Sequence, residues 1–338
     1  MKEQFVRDLK VGDRVLSFFL VKYKQLEAFR DRTRGQFLTL SLADKTGQML
    51  ARVWENAPAL AEEFEESDII KVLGEVEEYL GRLQIIIEKL RRAEADEYDL
   101  ADYLPHTEKD IESLLSQVLE AIASVENPHL RALLESFFAD EEFVSNFRQA
   151  PASKRIHHAY LGGLLEHVAE DIGLAQAVVE VFPQVDRSLL LAGIILHDVG
   201  KIQEFSYQRD IDYSDSGRLE GHIVLGDRMV AEKIAQIPDF PPELAMRLSH
   251  MILSHHGQYE WGAARKPQTL EACALHYTDN LGAQLNRFIG IIEGRRDETA
   301  RWTEYDRLLG RYLYAGSPVE ELVVEERARE DEMSEVVD

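Results

Sequence analysis

The sequence predicts a multidomain α+β protein in which a five-stranded β-barrel precedes an all-α helical bundle. Short runs of β-branched and aromatic residues, separated by turn residues, fill positions 1–92. Apolar residues recur at helical spacing from about position 107, and an acidic, polar segment separates the two regions. The length of 338 residues accommodates two or three domains.

The barrel prediction rests on strand candidates at residues 16–21, 37–42, 49–54, 68–76 and 79–87. The turn residues Asp44 to Gly47 join the second candidate to the third as a hairpin. Residues 58–64 suit a short helix between the third and the fourth. Five strands with a helix in that position is the order of an OB-fold, a barrel that binds single-stranded nucleic acid.

The rest of the chain is predicted to be helical. Residues 93–106 are interpreted as a linker, residues 107–318 as an all-α region, and residues 319–338 as an acidic tail that is expected to be disordered. One irregular stretch is expected at residues 206–221. Helices are expected to begin at residues 107–110 and at Asn127-Pro128, to occupy 154–176 and 188–197, and to continue to about Leu313.

The formal net charge of −24 is unevenly distributed. Residues 1–92 carry 16 basic and 16 acidic side chains, so residues 93–338, with 22 against 46, carry the whole deficit. The barrel is therefore the surface that repels nucleic acid least. The single cysteine, Cys273, excludes an internal disulfide and is expected to be a buried helix residue. Without a signal peptide or an apolar run that spans a bilayer, we expect a cytoplasmic protein with no membrane contact.

Histidines and aspartates recur where apolar segments meet loops. Burying a His-Asp pair after the apolar run 189–196 is costly without a partner, and a metal ion is such a partner. Donors with nitrogen and oxygen but no thiolate suit manganese, iron, cobalt, nickel or zinc. The candidates are His167, the pair His197-Asp198, His222, the pair His255-His256 and Asp279, which is enough for two ions that share a carboxylate.

The order His167…His197-Asp198…Asp279 resembles the signature of the HD-domain metal-dependent phosphohydrolases. The additional histidines His222 and His255-His256 resemble the members that hold two metals. Residues 157–167, 197–202 and 253–257 further resemble the YhaM-type 3′-5′ exoribonucleases, which pair an N-terminal OB-fold with a C-terminal HD domain. This resemblance covers most of the chain and implies an HD core at about residues 154–285.

The resemblance also implies a ligand set and an activity. One metal would be held by His167, His197, Asp198 and Asp279. The second would be held by His222 and by His255, His256 or both, with Asp198 bridging. Manganese is the expected ion, and cobalt, iron, nickel and zinc are alternatives. Two such ions can activate a water molecule and stabilise the negative charge that develops on a phosphodiester during hydrolysis. The implied substrate is single-stranded RNA cut from its 3′ end, with single-stranded DNA left open.

Substrate contacts are expected from basic and aromatic residues. Asp198 and Lys201 are the catalytic candidates, the lysine because it follows the His-Asp pair and can neutralise phosphate charge. Phe18 and Phe37 are assigned to the barrel interior. The substrate-binding candidates are Lys154, Arg155, His157 and His158 before the first ligand, and Tyr23, Arg30, Arg32, Arg34 and Trp54 on the barrel, where stacking and basic contacts hold single strands.

Two other functions stay open at this point. The chain could hydrolyse nucleotides or other small phosphoesters, with the barrel as a regulatory or assembly module. The Gly-Tyr-Pro motif of the cyclic-dinucleotide branch is absent, because Gly257-Gln258-Tyr259 follows the histidine pair. The chain could also be a non-enzymatic DNA-binding protein with a structural metal site, but a complete two-metal ligand set argues against this. A homo-oligomer is also considered as the assembly of this chain.

Overall fold

A computed structural model describes residues 2–29, 31–94, 96–154, 156–207, 211–295 and 299–316. Its N-terminal part is a closed barrel in the strand order β1-β2-β3-β5-β4, and helices follow, which confirms the predicted fold class. The strands are β1 (Arg14–Ala28), β2 (Gln36–Asp44), β3 (Gly47–Val53), β4 (Ile69–Tyr79) and β5 (Arg82–Arg92). β3 and β5 pair in parallel, whereas the other strand pairs of the barrel are antiparallel. The predicted acidic tail lies outside the described residues.

The barrel interior is filled by side chains that alternate along each strand. Val15 and Phe19 of β1 are fully buried in the barrel core. Phe18 packs outside that core, so its assignment to the interior is wrong. Phe37 is also outside, with its ring centroid 5.2 Å from that of Trp54. The error at Phe18 arises because an uninterrupted apolar run conceals the period of two. The error at Phe37 does not, because Leu38, Leu40 and Leu42 are buried positions of β2 and the alternation places Phe37 on the outer face. The helix α1 (Ala57–Ala61) lies between β3 and β4, as predicted.

The segment interpreted as a linker packs against both parts of the molecule. It contains a 3-10 turn, Leu100–Asp102, followed by the buried residues Tyr103 and Leu104. These two residues form a cluster with Leu20 and Ile69 of the barrel, and Leu161 of the helical region packs against it. Pro105 and Thr107 make backbone hydrogen bonds to Leu161 of 2.8 and 2.9 Å. The segment therefore joins the barrel to the loop that precedes the first metal-ligand candidate.

The helical region contains α2 to α11 and one short hairpin. The elements are α2 (Ile111–Ala123), α3 (Pro128–Phe138), α4 (Glu141–Gln149), α5 (Gly163–Val181), α6 (Arg187–Leu196), α7 (Lys201–Glu204), β6 (Phe205–Ser206), β7 (Asp212–Tyr213), α8 (Asp215–Leu219), α9 (Gly221–Ile234), α10 (Pro242–Ser254) and α11 (Leu270–Glu293). Asp110 and Asn127 cap α2 and α3 with their side chains, at the two starts expected from the sequence.

Three local expectations are wrong. Of the described residues in 154–162, none is helical, because His158 and Gly162 have positive φ values of 44° and 79° and α5 begins only at Gly163. The stretch 206–221 is not simply irregular, since it contributes to the β6-β7 hairpin and holds α8. Helices do not continue to Leu313, because the described residues 299–316 form turns and isolated bridges.

Helix α6 lies at the centre of the helical region. Every residue from Ser188 to Leu196 is buried, and α6 packs against α2, α3, α5, α10 and α11. Its C-terminus therefore delivers the following residues, His197 and Asp198, into the protein interior. Cys273 on α11 is exposed, which corrects the expectation that it is buried. Among the helices of the described residues, none is both long and apolar enough to cross a membrane.

Gly200 is required by a close approach of two backbones behind the His-Asp pair. A Cβ atom at this position would lie 2.1 Å from the carbonyl oxygen of His222 and 2.6 Å from the backbone nitrogen of Gly226. Neither backbone atom can move without displacing α9. The glycine therefore fixes the distance between the end of α6 and the start of α9.

We predict that Gly200→Ala lowers the free energy of unfolding by about 2–4 kcal/mol, because overpacking against backbone is not relieved by rotamer changes. Gly173→Ala is the matched control, since Gly173 lies in α5 with nothing within 4 Å of an added Cβ. This control should gain about 0.5–1 kcal/mol from helix propensity. Urea denaturation followed by circular dichroism measures both values. Equal stabilities of the two variants would contradict the close-approach account.

Candidate metal centre

Five helices and their ends bring the seven candidate ligands to one place. His167 projects from α5, and His197 and Asp198 follow the last residue of α6. The remaining candidates are His222 in the first turn of α9, His255 and His256 directly after α10, and Asp279 on α11. The sequence predicted each of these residues as a ligand candidate, and the structure brings all of them together.

The carboxylate of Asp198 lies between two groups of imidazoles. Its Oδ2 atom is 3.3 Å from His197 Nε2 and 3.6 Å from His167 Nε2. Its Oδ1 atom is 3.5 Å from both His222 Nε2 and His255 Nε2. Asp279 lies on the first side, with Oδ1 3.4 Å from His167 Nε2. One carboxylate thus presents each of its oxygens to a different pair of ring nitrogens.

Hydrogen bonds fix which ring nitrogen faces the centre. His197 Nδ1 donates to Ile194 O at 2.8 Å, and His255 Nδ1 donates to Ile252 O at 2.7 Å. His256 Nδ1 donates to Trp261 O at 2.7 Å. With the proton on Nδ1, the neutral form of each ring presents the lone pair of Nε2 to an electrophile. His167 differs, because its buried Nδ1 has no partner among the described residues.

Glu204 orients His222 and was not recognised from the sequence. Its Oε1 accepts from His222 Nδ1 at 3.0 Å, and the same oxygen accepts from the His222 backbone nitrogen at 3.0 Å. A carboxylate behind a ligating histidine fixes the ring and raises its basicity. The sequence signal is weak, because Glu204 ends the four-residue helix α7 and is separated from His222 by a hairpin and another helix.

The unsatisfied atoms of the centre fit a bound cation. Asp198 Oδ1, His222 Nε2 and His255 Nε2 are buried and have no hydrogen-bond partner within the described part of the chain. His167 Nε2 and His197 Nε2 face each other at 3.3 Å. Buried polar atoms and opposed lone pairs are unfavourable unless a cation compensates them. The donors are imidazole and carboxylate, which suits divalent transition metals.

Burial and charge act in opposite directions on the pKa values of these groups. Burial lowers the pKa of His256 to about 3 and also lowers that of His255. Burial opposes the charged form of His197, but Asp198 and Asp279 outweigh it and raise its pKa to about 9. Burial likewise opposes ionisation of Asp198, yet Lys201 and His197 hold its pKa well below the usual range. The Asp198 carboxylate is therefore ionised, which is the form that binds metals.

A cavity of about 280 Å³ opens onto the centre. Its lining includes Asp198, His255, His256 and Asp279, so the ligand candidates face a space that a substrate can enter. His157, a predicted substrate contact, also lines it, with its ring 5.7 Å from that of His167. Sequence reasoning did not identify other lining residues, among them Trp261, Asn280 and Arg287.

The other predicted substrate contacts of the helical region lie elsewhere. His158 is buried and its Nε2 contacts Glu170 Oε2 at 3.0 Å, so it anchors the loop before α5 and does not line the cavity. Lys154 pairs with Asp212 at 2.5 Å, outside the cavity. Arg155 lies outside the described residues. Lys201 is buried and its ammonium group contacts Asp198 Oδ2, the oxygen that faces His167 and His197.

Of the barrel candidates, Tyr23 lies on β1, Arg34 ends the 3-10 turn before β2, and Trp54 directly follows β3. Tyr23 and Trp54 are 44% and 40% exposed, which leaves their rings accessible for stacking. Trp54 forms a cluster with Phe29 and Phe37, and the guanidinium of Arg34 lies 4.5 Å from the Phe29 ring centroid. Arg30 lies outside the described residues, and the side chain of Arg32 is not described.

Comparisons with known proteins agree with this architecture. The family model of the HD domain matches residues 156–284, and that of the OB-fold nucleic acid binding domain matches residues 20–93. A 3′-5′ exoribonuclease YhaM from Geobacillus sp. is 37% identical over 293 residues, which cover 84% of this chain and 86% of that protein. The chain belongs to the YhaM exoribonuclease family.

Two further YhaM proteins show similar coverage. The 3′-5′ exoribonuclease YhaM of Bacillus velezensis is 34% identical over 285 residues, or 82% of this chain and 87% of that protein. The 3′-5′ exoribonuclease YhaM of Shouchella clausii is 34% identical over 291 residues, or 85% of this chain and 89% of that protein. The matches therefore extend over both the barrel and the helical region. The HD domain implies dependence on divalent metal, in agreement with the donor set described above.

We predict that Glu204→Ala weakens Mn²⁺ binding by about 10–100-fold, because His222 loses the acceptor that orients its ring. Isothermal titration of the metal-free full-length protein with Mn²⁺ measures the affinity. Glu180→Ala, which removes an exposed carboxylate from α5, should bind Mn²⁺ as the unaltered chain does. Equal affinities of the two variants would show that Glu204 does not position a ligand.

Proposed function

We propose that this chain is a metal-dependent 3′-5′ exoribonuclease that hydrolyses single-stranded RNA and uses two manganese ions. The observation that supports this best is the Asp198 carboxylate, whose oxygens face two different pairs of imidazoles. The RNA substrate and the direction of cleavage are supported by the names of the YhaM relatives. Single-stranded DNA is a second substrate to test. The cytoplasmic location and a homo-oligomeric state stay predictions.

In this proposal one ion is held by His167, His197, Asp198 and Asp279. The other is held by His222, by His255 and His256, and by Asp198 as the shared ligand. The ligand atoms of His222, His255 and His256 lie within 4.8 Å of one another. When bound, divalent ions supply electrostatic stabilisation of phosphate oxygens and activation of a water nucleophile.

The protein residues control the charge of the site. Asp198 and Asp279 are anionic side chains of the centre, and Lys201 is the cation that contacts Asp198. Lys201 and His197, whose pKa is raised to about 9, balance the charge of these two carboxylates, so the centre alone does not attract a phosphodiester. Divalent cations would make the centre positive. His157, whose pKa burial lowers to about 2, is neutral and contributes no repulsion toward the ligands. RNA binding at the cavity therefore depends on metal.

We further propose that the strand reaches the cavity along the outer surface of the barrel. Tyr23 pairs with Ser41, and Ser41 pairs with Leu50, so these side chains continue the surface that begins at Trp54 and Arg52. This surface runs to Ala43 and Gln48, which line a cleft of about 520 Å³ between the barrel and the helical region. Three lysines line the same cleft: Lys22, Lys45 and Lys154.

Lys154 connects the cleft to the active-site cavity. It lines the cleft, and Ile156 and His157, two and three residues further along the chain, line the cavity. Lys45 contacts the carboxylate of Asp102 at 3.2 Å, and Lys154 contacts that of Asp212 at 2.5 Å. A phosphate of the RNA backbone would take the place of each carboxylate. Exchange of a carboxylate for a phosphate keeps each ammonium paired.

A small-phosphoester hydrolase is the second candidate function. The cavity volume of about 280 Å³ is at the lower end of ligand sites and suits one nucleotide better than a longer segment. This observation agrees with removal of single nucleotides from a strand, but it also agrees with hydrolysis of free nucleotides. Only the length of the substrate separates the two functions.

We predict that the chain with Mn²⁺ shortens a 5′-labelled oligoribonucleotide stepwise from its 3′ end. Asp198→Asn should reduce the rate by at least about 10³-fold, because the shared ligand and its charge are altered. Asp239→Asn is the matched control, since Asp239 is exposed and asparagine tolerates its positive φ of 55°. Hydrolysis of mononucleotides with oligomers left intact would contradict the exonuclease proposal and favour the second candidate.

The cleft predicts a separate effect on long substrates. Lys45→Ala and Lys154→Ala should weaken binding of a 20-nucleotide RNA and lower the salt dependence of log K by roughly 0.7 per lost phosphate contact. A dinucleotide does not reach the cleft, so both variants should cleave it at a rate within about twofold of that of the unaltered chain. Lys89→Ala removes an exposed lysine from β5 and serves as the control. An unchanged salt slope in both cleft variants would exclude this path.

A further inference from the structure

Asp171 is a buried carboxylate beside the candidate metal centre. It lies one helical turn after His167 on α5, so both side chains are on the same face. Asp171 is fully buried, and its Oδ2 atom is 3.5 Å from His167 Nε2. Ligand atoms of Asp171, His167, His197 and Asp279 lie within 4.8 Å of one another. The His-x-x-x-Asp spacing was visible in the sequence, but the proposed ligand set did not include Asp171.

Neither oxygen of Asp171 has a hydrogen-bond partner within the described part of the chain. Buried carboxylates are stable only when donors or cations surround them, since the cost of removing the charge from water is several kcal/mol or more. The ion-pairing contact found for Asp171 is the ring of His167. That ring also faces His197, Asp198 and Asp279, so it cannot satisfy all three carboxylates.

The fold makes room for this side chain on the opposite helix. Gly282 of α11 faces Asp171, and a Cβ atom there would lie 2.6 Å from Asp171 Oδ1. Gly282 is buried three residues after Asp279, so the same stretch of α11 supplies a ligand candidate and the space for Asp171. A larger residue at this position would push the carboxylate away from its present place.

We propose that Asp171 is a further ligand of the metal ion on the His167 and His197 side. This inference rests on the metal centre of the proposed function and extends its donor set to two imidazoles and three carboxylates. Carboxylate oxygens favour harder divalent ions such as Mn²⁺, whereas imidazole suits zinc as well. Asp171 thus makes this side of the centre more favourable to Mn²⁺ relative to Zn²⁺ than two imidazoles and two carboxylates alone.

Metal titration without RNA tests this role. The full-length protein is stripped of metal and titrated with Mn²⁺, and bound ions are counted by electron paramagnetic resonance of the free ion. We expect two Mn²⁺ sites in the unaltered chain. Asp171→Asn keeps the shape of the side chain and should weaken one site by at least about tenfold, while the other changes less than about twofold. The loss should be larger for Mn²⁺ than for Zn²⁺.

Two further variants keep the test decisive. Gly282→Ala should weaken the same site, because the added methyl group displaces the Asp171 carboxylate. Glu180→Gln removes one exposed charge from the same helix and should bind both ions as the unaltered chain does. Metal-free Asp171→Asn should melt at or above the temperature of the unaltered chain, because a buried charge is removed.

The inference is overturned if Asp171→Asn binds both Mn²⁺ ions within twofold of the unaltered chain. It is also overturned if the metal-free variant melts at a lower temperature and its Mn²⁺ affinity is unchanged, since Asp171 would then have a purely structural role. Neither measurement uses RNA. A chain that fails to degrade RNA would therefore refute the proposed function and leave the result for Asp171 readable.

Discussion

The centre depends on a concentration of buried carboxylates that the basic side chains around them neutralise only in part. Asp171, Asp198 and Asp279 surround His167 and His197, and Lys201 contacts only one of the three. Such an arrangement is unfavourable in a low-dielectric interior unless cations occupy it. The carboxylates are held at short range despite their mutual repulsion. Helix ends, close glycine contacts and the carbonyl acceptors behind the histidines fix their positions.

The rigid part of the molecule is built around this requirement. Helix α6 is buried along its length, so the His-Asp pair at its end is held by packing and not by a surface loop. Gly200 allows α9 to approach closely and bring His222 to the opposite side of Asp198. The segment before the site is tied to the barrel through Tyr103, Leu104 and Leu161. One loop therefore contacts the barrel on one side and leads into the helix of His167 on the other.

Much of this was predictable from the sequence, and the exceptions have physical causes. The barrel and the seven ligand candidates follow local patterns, namely alternation of apolar residues and polar residues at the ends of apolar helices. Glu204 and Asp171 were missed because their roles arise from packing between distant helices. His158 was misplaced because the sequence 154–176 looks helical, whereas positive φ values at His158 and Gly162 turn the chain and bury that ring. Phe18 was misassigned because an apolar run does not reveal which face is inside, whereas the alternation of Leu38, Leu40 and Leu42 already places Phe37 outside.

The most direct test of the account is anomalous diffraction from crystals of the full-length chain grown with Mn²⁺. Two manganese peaks are expected roughly 3.5–4 Å apart, with the Asp198 carboxylate between them. His167 and His197 should contact one ion, and His222 and His255 the other. A single peak, or peaks distant from Asp198, would contradict the central claim that this carboxylate is shared by two metals.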